Sequence, residues 1–146
     1  MKTFLRLNML SALYAFVLFI SVELQVNFYR IWRLTGWESW TVDRITTAIH
    51  IIGFIVTIFL FYSLVRKWFE GRIMVYWSVI LWLPYVILFV FIFATLFPMT
   101  DRGDSAAPVT GLIIIGQLMI YPFYLAAITW FGSARDFVVE EIKSEK

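Results

Sequence analysis

Hydrophobic residues run along this chain in four long blocks, at positions 7–26, 45–65, 73–97 and 109–131, and the charged residues gather between them. Each block reaches the roughly 20 residues that an α-helix needs to cross a bilayer. None shows the sustained apolar–polar alternation of a lipid-facing barrel strand. The pattern predicts an all-α polytopic membrane protein, a single domain built as an antiparallel bundle of four transmembrane helices.

The connections fit that reading. Arg66-Lys67-Trp68-Phe69-Glu70-Gly71-Arg72 is short and charged, so the second and third helices form a tight hairpin. Pro98 and Pro108 enclose Asp101-Arg102-Gly103-Asp104-Ser105, which reads as a solvated turn between two helix breakers. The first connection, residues 27–44, is longer and sets Phe28, Tyr29, Trp32, Trp37 and Trp40 among Arg30, Arg33, Glu38, Asp43 and Arg44. Such a mixture is expected to lie along the headgroup layer, rings in the acyl boundary and charges in water. Residues 132–146 form a charged tail. The opening Met1-Lys2-Thr3-Phe4-Leu5-Arg6 imitates a secretory signal, but the run after it carries no A-x-A-like cleavage site and is long enough to span, so it is read as the first helix.

Composition strengthens the membrane reading. Hydrophobic residues make up 62% of the chain and charged ones 15%, against about 25% charged in ordinary soluble domains. A chain of 146 residues cannot bury that much apolar surface in one small core. Its seven tryptophans suit interfacial belts. The net charge of +2 gives no reason to expect a nucleic-acid partner, and the absence of cysteine removes thiol chemistry, disulfides and cysteine metal sites. Eight of the twelve Lys and Arg residues lie on the side that carries both termini and the second connection. By the positive-inside rule both termini are expected in the cytoplasm, and the protein in the cell membrane.

Polar residues within the spans are the candidates for function, because a polar or ionisable group in lipid is costly. Glu23 lies near one end of the first helix and His50, the only histidine, near the corresponding end of the second. Thr46, His50, Gly53 and Thr57 fall on one stripe, small or polar as helix contacts in lipid prefer. The expectation is that Glu23 and His50 face each other, with Gln117 of the fourth helix below them and Thr46 and Tyr121 completing the polar layer. Pro84 and Pro122, near the middles of the third and fourth helices, are expected to kink them, and broken helices can mark transport sites.

Catalytic signatures are missing: the sequence holds no nucleophile elbow, zinc-protease helix or phosphate-binding loop, and a single histidine where a haem bundle usually supplies two. Neither a metal nor a cofactor is expected. The segment Trp130-Phe131-Gly132-Ser133-Ala134-Arg135 resembles the aromatic-Phe-x-x-Ser-x-Arg ending of an uncharacterised bacterial family of four-span inner-membrane proteins, with one residue deleted before Ser133 and Asp136 where that family has a base. The resemblance implies four spans and no particular activity. Ser133 and Arg135 are expected to cap the last helix. Three functions are compatible with these features: an accessory subunit that packs against a larger membrane partner, which leads; a small homo-oligomeric transporter or channel; and, third, a membrane enzyme acting on lipid.

Overall fold

The computed structural model describes residues 1–69 and 73–144, with side chains described to Ser133. Its elements are α1 (Lys2–Val26), α2 (Phe28–Thr35), α3 (Ser39–Phe69), a 3-10 segment (Ile73–Trp77) leading into α4 (Ser78–Leu96), a 3-10 turn (Arg102–Asp104), and α5 (Pro108–Ser144). Among the described residues there is no strand. Four stretches are long and apolar enough to cross a membrane: Lys2–Val26, Ser39–Phe69, Ile73–Leu96 and Pro108–Ser133. The protein is an integral, multi-pass membrane protein with a four-helix bundle.

Contacts fix the alternating directions of the spans. Arg6 near the start of α1 donates to the Trp68 carbonyl at the end of α3 (3.2 Å), where a cation also complements the helix dipole. Tyr76 at the start of the third span meets Ser133 toward the end of the fourth (3.0 Å). At the opposite end, Arg30 and Arg33 of α2 reach the connection that follows α4. The bundle thus has a terminal face, bearing the N-terminus, the end of α3 and the 3-10 segment that opens the third span, and a loop face, bearing α2 and residues 97–107.

The core is a buried stripe on α1, formed by Leu7, Leu10, Ser11, Tyr14, Ala15 and Leu18, that recurs at helical spacing. It meets Phe61 and Val65 of α3, Trp82 and Val86 of α4, and Tyr121 and Leu125 of α5. Tyr14 packs edge-on against Phe61, with ring centroids 4.5 Å apart. α1 packs most extensively along α4, where Phe16 and Phe19 interlock with Phe89 and Phe93. α3 packs mainly along α5. Gly132 permits a close approach between that pair: a Cβ there would meet the Val65 Cγ1 at 2.8 Å. The two halves, α1 with α4 and α3 with α5, touch each other less extensively than the helices within each half do, and a groove lies between α1, α3 and α5.

Three expectations are corrected. Residues 27–44 are not a loop throughout, because α2 occupies 28–35 and α3 begins at Ser39, some two turns before its apolar block. α2 ends at Gly36, whose φ of 67° is the left-handed conformation that glycine adopts without a Cβ penalty. Residues 98–108 are not merely a solvated turn. Asp104 is buried and accepts two hydrogen bonds from Arg33, from Nε (2.8 Å) and Nη2 (2.7 Å), while Arg30 donates to the Phe97 carbonyl (2.9 Å). Arg30 and Arg33 are one helical turn apart, so a single face of α2 clasps the end of α4 and the turn beyond it. Finally, Ser133 does not cap a helix end. It is buried and donates back to the Thr129 carbonyl (2.7 Å), and α5 continues to Ser144. Arg135 and the charged side chains of the tail lie outside the described side chains.

Candidate intramembrane site

The polar layer foreseen in the bundle forms, with a different cast. Gln25 of α1 donates through Nε2 to Gln117 Oε1 (2.9 Å), and Gln117 Nε2 donates in turn to the Ser21 hydroxyl (2.6 Å). His50 joins from α3: its Nε2 lies 3.4 Å from Gln25 Nε2 and 3.2 Å from the Ser21 carbonyl. Three helices thus contribute Ser21, Gln25, His50 and Gln117 to one network near the loop face.

Both ring nitrogens of His50 face backbone carbonyls, Nδ1 that of Thr46 (2.7 Å) and Nε2 that of Ser21 (3.2 Å). The two N–H groups of the Gln25 amide go to the Ser21 carbonyl (3.0 Å) and to Gln117 (2.9 Å), so the long contact with His50 adds no hydrogen bond from that amide. Thr46 therefore serves the layer through its backbone, one helical turn from the histidine.

Glu23 does not meet His50. Its carboxylate accepts from Asn27 Nδ2 (2.7 Å), four residues on, where α1 gives way to α2. The reason is angular. Glu23 stands two residues from both Ser21 and Gln25, a rotation of roughly 200° on a helix of 3.6 residues per turn. When Ser21 and Gln25 turn toward α3 and α5, Glu23 turns away. It continues the line of Phe16 and Phe19, which serves α4. Ser21 and Gln25, which the sequence reading passed over, extend the Tyr14–Leu18 line of the buried stripe by one and two turns, a signal that becomes readable once that stripe is known.

Below the layer lies a cavity of about 600 Å³ between α1, α3 and α5, within the usual range of small-molecule sites. Its walls are mostly apolar, including Val17, Leu24, Ile49, Phe54 and Ile120. Polar atoms concentrate at His50, Gln117 and Ser21, with Thr57 and Tyr124 hydrogen-bonded to each other farther in (2.9 Å). Gly53 is not a close helix contact as the small-residue stripe implied. Nothing approaches within 4 Å of a Cβ built there, and the residue opens the wall of the cavity. Tyr121 lines the cavity one turn beyond Gln117, but its hydroxyl donates to the Tyr14 carbonyl (2.6 Å) rather than joining the network. Its ring stacks on Tyr124 and meets Trp82 edge-on.

A second, more open cavity of about 660 Å³ lies on the loop side, lined by Gln25, Tyr29, Asp43, Thr46 and Thr110. Both cavities are lined by His50, Gln117 and Ile120, so the polar layer stands between them. Pro84 and Pro122 line neither, and α4 and α5 continue through them as helices.

Comparison with known protein families, with characterised proteins and with solved structures finds no match to the chain. The geometry therefore carries the functional reading by itself.

Proposed function

We propose that this membrane protein takes an amphipathic molecule from the bilayer into the groove between α1, α3 and α5, with the polar end at Ser21 and Gln117 and the apolar end along Ile49, Phe54 and Ile120. This sits closer to the transport expectation than to the accessory-subunit one. The observation that carries it is the cavity of about 600 Å³ between three helices, with largely apolar walls and with Ser21, His50 and Gln117 grouped where it meets the polar layer. The layer exposes hydrogen-bonding groups to the hydrocarbon region, where a partner is worth about 0.6 kcal/mol on average and up to about 1.7 kcal/mol.

A second reading is an accessory subunit. It is favoured by the third span, Ile73–Leu96, which has the highest mean hydropathy, 2.6, and is the least buried within the chain. Ile80, Ile87 and Phe91 point outward from it. A partner helix or a second copy would seat there. The resemblance of Trp130–Arg135 to the bacterial four-span family is compatible with either reading.

One experiment separates them. The chain is purified from its native membrane in mild detergent, and both bound small molecules and bound proteins are quantified. About one amphipathic molecule per chain, lost on Gly53→Phe, is the expected result, since Gly53 lines the cavity, nothing lies within 4 Å of a Cβ built there, and a ring would take up the ligand's space. A stoichiometric membrane protein released by substitutions on the outward face of α4, with no retained small molecule, would overturn the first reading in favour of the second.

A further inference from the structure

The groove is furnished for one class of head group, an inference that rests on the groove being a ligand site at all. We infer that it selects an uncharged lipid whose head carries a carbonyl or hydroxyl oxygen, and rejects phospholipids.

The hydrogen-bond inventory of the layer leads to this. Gln117 uses its carbonyl to accept from Gln25 and one N–H to donate to Ser21, which leaves its second N–H to give. Ser21 Oγ accepts from Gln117, and its own proton is available. His50 is spent inside the layer, with Nδ1 facing the Thr46 carbonyl (2.7 Å) and Nε2 the Ser21 carbonyl (3.2 Å), so neither ring nitrogen is left for a ligand. Farther in, Thr57 donates to the Phe54 carbonyl (3.0 Å), so in the Thr57–Tyr124 pair the tyrosine is the donor and its oxygen remains an acceptor. The groove therefore offers two donors, on Gln117 and Ser21, and one acceptor, on Tyr124, all on uncharged side chains. A carbonyl head takes the donors, and a hydroxyl head takes one group of each kind.

A charged head meets nothing that compensates it. No Asp, Glu, Lys or Arg lines the groove. The adjoining cavity adds Asp43, whose charge repels a phosphate. The nearest cations on α2 are engaged, Arg30 with the Phe97 carbonyl and Arg33 with Asp104, and Arg44 stacks over the Trp40 ring. Moving an unpaired charge out of water into such walls costs several kcal/mol, far more than a hydrogen bond returns. The apolar part of the groove also has a length: Gln117 to Tyr124 spans seven residues of α5, roughly 10 Å along its axis. That accommodates the upper part of an acyl or isoprenoid chain, with the remainder in the bilayer.

The test is native mass spectrometry of the full-length chain released from nanodiscs that contain equal amounts of diacylglycerol and phosphatidylglycerol with identical acyl chains. The expected result is one diacylglycerol per chain, retained at least about tenfold over phosphatidylglycerol. Gln117→Leu should reduce that preference to about threefold or less, and Ser21→Ala, which alters little volume, should lower it measurably. Gly53→Phe should abolish the adduct. Phosphatidylglycerol retained as well as diacylglycerol, and equally lost on Gly53→Phe, would overturn the head-group selection and leave the groove standing. Absence of either adduct from the wild-type chain would overturn both. A preference unchanged in both Gln117→Leu and Ser21→Ala would overturn the assignment of the head to this layer.

Discussion

Glu23 and His50 look like partners in the sequence and are not partners in the structure. They are the two ionisable residues within the spans at matching heights, and charge draws attention first. The structure instead gives His50 to the uncharged Ser21 and Gln25, and gives Glu23 to Asn27. Double-mutant cycles in detergent distinguish the two arrangements. Gln25→Ala and Gln117→Ala should be non-additive in thermal stability, with an interaction of about 0.5–1.7 kcal/mol, because each removes one partner of a shared hydrogen bond. Glu23→Gln and His50→Ala should be additive, since the two residues share no partner. The histidine, Gln117 and Tyr121 were legible as single residues from their place within apolar blocks. The neutral members on α1 were not, because polar residues near a helix end resemble the start of a loop until the buried stripe that continues into them is known.

At the scale of elements, apolar length alone identified the four spans, and it fails at their ends. α3 starts at Ser39 although its apolar block starts at Ile45, because hydrogen bonding continues through the polar first turns and Trp40 and Arg44 cover one another. The clasp between α2 and residues 97–107 was illegible for a related reason: it joins residues 71 positions apart, and nothing local in Asp101-Arg102-Gly103-Asp104 marks one aspartate as buried. That clasp has a definite pH dependence. The Arg33 guanidinium, first through its hydrogen bonds, holds the Asp104 carboxyl below the ordinary carboxylate value, and Asp104 in turn raises Arg33. A depressed carboxyl contributes its full share above the free value of 3.8 and loses it as pH falls through its lowered folded value. Hydrogen exchange in residues 97–107 should therefore be pH-insensitive in its protection from neutrality down to about pH 4, after correction for intrinsic rates, and rise below that. Asp104→Asn should show the raised exchange already at neutral pH. Between spans, Gly132→Ala should lower stability by about 1–3 kcal/mol, because its Cβ would press on Val65 where α5 comes close to α3. Gly53→Ala, facing open space, should change it little. A comparison of melting temperatures checks both.

For the molecule as a whole, the bundle places both ends of the four-span unit on one face, and the distribution of Lys and Arg predicts that this face is cytoplasmic. The chain contains no cysteine, so single introduced cysteines report topology cleanly. Cysteines at positions 36 and 102 should label with an impermeant maleimide in intact cells, and one at position 2 only after permeabilisation; the opposite pattern would invert the orientation. The groove is the whole-molecule feature that composition could not reveal, because it arises from how α1–α4 and α3–α5 meet and from no single helix. The most direct test of its role is photo-crosslinking with a diacylglycerol that carries a diazirine on its acyl chain, followed by peptide mapping. Label concentrated in residues 49–57 and 117–124, and lost from them in Gly53→Phe, is the predicted result. Label spread over the outward residues Ile80, Ile87 and Phe91 of α4, with the groove peptides unmarked and Gly53→Phe without effect, would contradict it.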